Sequence, residues 1–102
     1  MEDEITILKL SALRALWGHV SPTLRSASIE RTGDTIKWRC VFDTGASEDD
    51  LELASMAGTE IIADYELPIT IEQEAIITPF PDRVNELEHR IFFRHEHGYY
   101  KE

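Results

Sequence analysis

Residues 34–65 read DTIKWRCVFDTGASEDDLELASMAGTEIIADY, and a change of rhythm inside this stretch decides the fold. From 34 to 43 the pattern has period two: Ile36, Trp38, Cys40 and Phe42 fall on one side, Lys37, Arg39 and Val41 on the other. Such alternation predicts a strand with one face covered and the other open. From 47 to 65 the period lengthens to that of a helix, and Leu51, Ala54, Gly58, Ile61 and Tyr65 trace one stripe. Ser47 is a good N-cap with Asp50 three residues on as a capping-box partner, and Glu48, Asp49 and Asp50 complement the helix dipole. The small Ala54, Ala57 and Gly58 predict that this helix lies close to a sheet.

Working outward, residues 24–31 read as a strand joined to 34–43 through Thr32-Gly33-Asp34, a hairpin connection. Residues 4–18 read as a helix with Ile5, Leu8, Ala12, Ala15 and Leu16 on one side; Gly18 and then Pro22 stop it. Ile7, Leu10 and Trp17 form a second apolar side near Arg14, so the helix is either sandwiched or leaves apolar area for a partner. After Pro68 come strands at 69–78 and 88–96, separated by a turn at Pro79-Phe80-Pro81-Asp82. The order α-β-β-α-β-β predicts a single α+β domain over 1–102: a four-stranded antiparallel sheet with two helices on one face. Strand order stays open. If the last two strands pair, Glu72 and Glu74 face Arg90 and Arg94 across the open face.

Charge is the most informative bulk property. Twenty acids against ten Lys plus Arg leave a formal charge of −10, which repels nucleic acid and anionic membranes and attracts a basic macromolecule. Eleven acids and no Lys or Arg lie between Arg39 and Arg83. Such a region is either a solvated surface or a docking face for a basic partner. With Glu72 and Glu74 matched to arginines, the docking reading assigns electrostatic steering to Asp43, Glu48, Asp49, Asp50, Glu52 and Glu60.

No run approaches the roughly 20 apolar residues of a membrane span. The acids at Glu2, Asp3 and Glu4 stand where a secretory signal carries bases. Cys40 is the only thiol, so no intramolecular disulfide forms, and it reads as a small buried hydrophobe. A cytoplasmic location is expected. His95 and His97 share one side of the last strand, yet a zinc site takes three or four protein ligands and only His89 shares that face. Lys37, Arg39, Arg90 and Arg94 with Phe92 sketch an RNA-binding sheet face, against which the interleaved acids weigh. There is no phosphate loop, nucleophile elbow or CxxC. The expectation is a binding protein without catalytic residues, metal or cofactor.

The run Ser11–Ile29, SALRALWGHVSPTLRSASI, resembles the opening of a family of short bacterial proteins, and SEDDLELA at 47–54 with TEIIAD at 59–64 is similar to a later part of it. These are the immunity proteins of contact-dependent growth inhibition systems. The resemblance implies a non-enzymatic protein that binds the toxin domain of a cell-surface effector and blocks the active site of a cognate RNase-type toxin. An acidic face suits that role, because a nuclease is basic where it holds phosphates. Two other readings stand beside it: a small adaptor or homodimer formed through the second side of the first helix, and an enzyme using His95 and His97.

Overall fold

The computed structural model describes residues 3–66 and 68–96. Its elements are α1 (Glu4–Leu16), β1 (Leu24–Thr32), β2 (Thr35–Phe42), α2 (Glu48–Ala63), β3 (Thr70–Ile77) and β4 (His89–Phe93). Both helices begin at side-chain caps. Asp3 accepts the Thr6 N–H at 2.7 Å, and Ser47 with Asp50 forms the reciprocal capping box. Gly33 turns β1 into β2 at φ +59°, a left-handed conformation that disfavours a side chain.

The sheet is mixed, not antiparallel as expected. Its order is β3-β2-β1-β4; β1 runs antiparallel to both neighbours, while β3 pairs parallel to β2 from Thr35↔Thr70 to Phe42↔Ile77. The reason lies in α2: its 16 residues carry the chain back along the length of β2, so β3 starts at the same end. β3 and β4 therefore occupy opposite edges, and the expected pairing of Glu72 and Glu74 with Arg90 and Arg94 does not occur. Glu74 accepts from Arg39 on β2 at 3.0 Å, Arg90 pairs with Glu86 at 2.7 Å, and Arg94 with Asp43 at 2.9 Å.

The same topology covers much of the face that the alternation left open. β3 and β4 point the same way from opposite edges, so residues 78–88 must return across the sheet. They bond to it as they cross: the Leu87 N–H donates to Ser28 Oγ at 2.9 Å, Ser26 Oγ to Glu86 at 3.0 Å, and Arg39 Nη1 to the Asn85 carbonyl at 3.2 Å. Ser26, Ser28 and Val41 are buried in consequence.

The other face carries the helices. Ile36, Trp38, Cys40 and Phe42 pack there with Ala27 and Ile29, against Leu8, Ala12 and Leu16 of α1 and Ala54, Ala57 and Ile61 of α2. Each such fully buried large apolar side chain contributes about 1.5–3 kcal/mol. The small residues of α2 let it approach closely. Trp38 Nε1 donates to the Ala54 carbonyl at 3.1 Å, and a Cβ on Gly58 would run into the Gln73 side chain.

Two bulges re-aim side chains. Between Leu24 and Ser26 the register with β2 shifts, leaving Arg25 as the extra residue, turned with Ser26 toward the crossing segment. On β4 the step from Arg90 to Phe92 spans only Ser28 to Ala27 of β1, so Ile91 is extra. The expected grouping of Phe92 with Arg90 and Arg94 on the open face breaks there. Phe92 lies on the helix face, not on the open face with the arginines, and Phe93 takes the open side with the Arg90 guanidinium 4.3 Å from its ring.

Candidate partner-binding surface

α1 and α2 lie side by side, and what they present to solvent differs. On α2 the outer face carries the exposed Glu48, Asp49, Glu52 and Glu60. These sit opposite the buried Ala54, Ala57, Gly58 and Ile61, since side chains three and four apart share a face. Glu60 is 3.2 Å from His19 Nδ1, which also lies 2.7 Å from the Ala15 carbonyl, so Glu60 helps fasten the end of α1.

The other two acids assigned to steering are held by the fold. Asp43 accepts the Phe80 N–H at 2.9 Å and the Thr44 N–H at 2.7 Å on one oxygen, and Arg94 at 2.9 Å on the other. The Phe80 amide and the Arg94 guanidinium bring its pKa down to about 2. Asp50 accepts from Thr23 Oγ1 at 2.7 Å and from the Ser47 N–H at 3.1 Å, and these bonds lower its pKa. Only Glu48, Asp49 and Glu52, within the first two turns of α2, stand together in solvent.

On α1 the outward face is apolar. Leu10 and Leu13 are exposed, and Trp17 is 84% exposed. Beside them Leu13, Leu16, Trp17, Gly18, Val20 and Phe92 line a shallow apolar groove of about 350 Å³.

Sequence reasoning missed Arg25. It is fully buried, donates through Nε and Nη2 to Glu96 at 2.8 and 3.1 Å, and donates through Nη1 to the Thr78 carbonyl at 2.6 Å. Its guanidinium lies 5.6 Å from the Phe80 ring. Glu96 also accepts from Arg94 at 3.0 Å. The one local signal is an arginine set in a run of small and apolar residues, Leu24 to Ile29.

His95 is exposed, and its expected neighbour His97 lies outside the described residues. Among the described residues no group of three or more His, Cys, Asp or Glu is arranged to hold a metal ion. No helix among them is long and apolar enough to cross a membrane. Burial pushes the Cys40 thiol up to about 12, so it stays protonated in the core.

A layer of two helices on a small mixed sheet, offering apolar and acidic contact chemistry side by side, is the frame in which the comparison with known families falls. The family model of the MafI2 immunity proteins matches residues 6–96, and the chain belongs to that family. No curated protein matches it.

Proposed function

We propose that this protein binds a cognate toxin domain and neutralises it by covering a basic, nuclease-type active site with an acidic surface. Membership of an immunity-protein family carries the reading. The charge of −10 and the exposed Glu48, Asp49 and Glu52 support the acidic part of it. A nuclease concentrates positive potential where it holds phosphates, and carboxylates one helical turn (about 5.4 Å) apart offer that groove a substitute for the nucleic-acid backbone.

Such charges act mainly on arrival. They steer the two proteins together over about one Debye length, roughly 8 Å at physiological salt, and they disfavour partners of the wrong sign. Glu48, Asp49, Glu52 and Glu60 make the contacts in this reading, while Asp43 and Asp50 add negative potential from positions where the fold holds them ionised. The complex forms in the cytoplasm, where a nuclease toxin would meet its substrate, and the immunity protein needs no catalytic group to act.

The test is association with the purified product of the adjacent upstream gene, at low and moderate salt. The triple variant Glu48→Lys/Asp49→Lys/Glu52→Lys is expected to associate about ten-fold more slowly at low salt and with a flatter salt dependence. Unchanged kinetics would remove the steering role, and toxin that stays active beside excess wild-type protein would remove the neutralisation reading.

A further inference from the structure

The solvent face of α1 is apolar where a surface helix ordinarily carries charge. Leu10, Leu13 and Trp17 follow one another at intervals of three and four residues, which keeps them on one stripe, and they are 43%, 54% and 84% exposed. Of the nine large hydrophobic side chains exposed among the described residues, six fall between Ile5 and Val20. Single exposed leucines are ordinary, whereas a contiguous stripe marks a site of association. This stripe runs into the apolar groove beside Phe92, the side chain that the β4 bulge delivers to the helix face.

We propose that this stripe and groove anchor the toxin complex, with Trp17 as the residue that sets its lifetime. The inference rests on the neutralisation reading and adds the surface that reading lacks. The occupant is a basic protein domain that seats on the stripe, places an apolar side chain in the groove, and meets the carboxylates of α2 with its basic rim.

Two observations select that occupant. First, the segment that bears the stripe is fastened along α2, the helix whose outer face carries the acids. Ser11 and Arg14 of α1 reach Asp64 at 2.5 and 3.7 Å, His19 lies 3.2 Å from Glu60, and Thr23 donates to Asp50 at 2.7 Å. Trp17 and Val20 therefore lie between points at which the chain is tied to acids of α2 and its C-cap Asp64. Second, charge argues against a second copy of this chain. Each copy carries −10, and Lys9 and Arg14 flank the stripe on its two sides. Packing α1 on its own copy, in either direction, sets bases against bases, which costs affinity. A basic partner escapes the repulsion between two chains of −10 and shares only the smaller one at Lys9 and Arg14, the latter 3.7 Å from Asp64.

The anchor and the charges then divide the work. Buried aromatic anchors dominate the dissociation rate, and peripheral charges dominate the association rate. The experiment measures both rates for the purified product of the adjacent upstream gene, against wild type, Trp17→Ala and Leu13→Ala. Both side chains are more than half exposed, so thermal unfolding of the variants should match wild type, and that match is checked first.

Trp17→Ala is expected to raise the dissociation rate by about thirty-fold or more and to change the association rate by less than about three-fold. Absence of any wild-type complex would overturn the neutralisation reading and this inference together. A wild-type complex whose dissociation neither variant changes would overturn the anchor alone. Sedimentation of the isolated protein supplies the remaining arm: a wild-type dimer that Trp17→Ala converts to monomer would give the stripe to a second copy and overturn the proposal.

Discussion

Replacing Glu96 with glutamine would take the carboxylate away from a buried guanidinium. The Arg25 guanidinium is fully buried and meets Glu96 through two of its nitrogens, at 2.8 and 3.1 Å, while the Glu96 side chain is only 4% exposed. Forming such a pair gains little net stability, since desolvating both ions offsets their attraction. Removing one partner is different, because the buried guanidinium then loses its carboxylate, at a cost of about 3–5 kcal/mol. A glutamine oxygen still accepts one bond, and Arg94 keeps Asp43, which places Glu96→Gln near the lower end, at about 3 kcal/mol. For a domain of this size each kcal/mol moves the midpoint by about 4–8 °C, so Tm should fall by about 12–24 °C. Thermal unfolding followed by circular dichroism at neutral pH reads this directly. The double variant Arg25→Met/Glu96→Leu removes both charges and should recover at least half of the loss, as a double-mutant cycle would show. A Glu96→Gln midpoint within about 3 °C of wild type would refute the reasoning.

Asp43 predicts the shape of the acid limb. Its folded pKa of about 2 lies below the ordinary 3.8, so the folded state favours the ionised form and Asp43 adds stability above pH 3.8. That contribution is lost as pH falls through 3.8 toward 2. Asp43→Asn should therefore melt below wild type near neutrality and converge with it at the acid end, and parallel melting curves across that range would contradict this. Cys40, raised to about 12 by burial, should resist a disulfide-exchange reagent at mildly alkaline pH until the protein unfolds. Labelling of the native protein at the rate of an exposed thiol would show that the core is open. The charge-reversal and Trp17→Ala experiments complete the set, each acting on a different rate constant of one complex.

Local rhythm made much of the fold legible. The helix expected over 47–65 runs from Glu48 to Ala63 behind the expected capping box, and the strand expected over 34–43 runs from Thr35 to Phe42 with Ile36, Trp38 and Cys40 in the core. The last strand was harder to read. It stops at Phe93, short of the expected 96, because Arg94 and Glu96 turn into ion pairs with Asp43 and Arg25. The expected place of Phe92 fails because one bulged residue, Ile91, exchanges the faces of Phe92 and Phe93.

The acidic surface divides along the same line. Sequence alone establishes the charge of −10, the acids that cap α2, the hairpin and the apolar second side of α1, because composition, caps and periodicity are properties of neighbouring residues. Nothing near Asp43 says that Arg94, 51 residues on, will bind it, and nothing near Arg25 says that Glu96, 71 residues on, will neutralise it. Tertiary structure decided which carboxylates support the fold and which stay in solvent. It also decided that β3 runs parallel to β2, that residues 78–88 cover the sheet, and that Trp17 stands exposed beside the groove. These outcomes depend on which distant backbone comes to lie alongside, and that is settled by how the helices and the crossing segment share one small sheet.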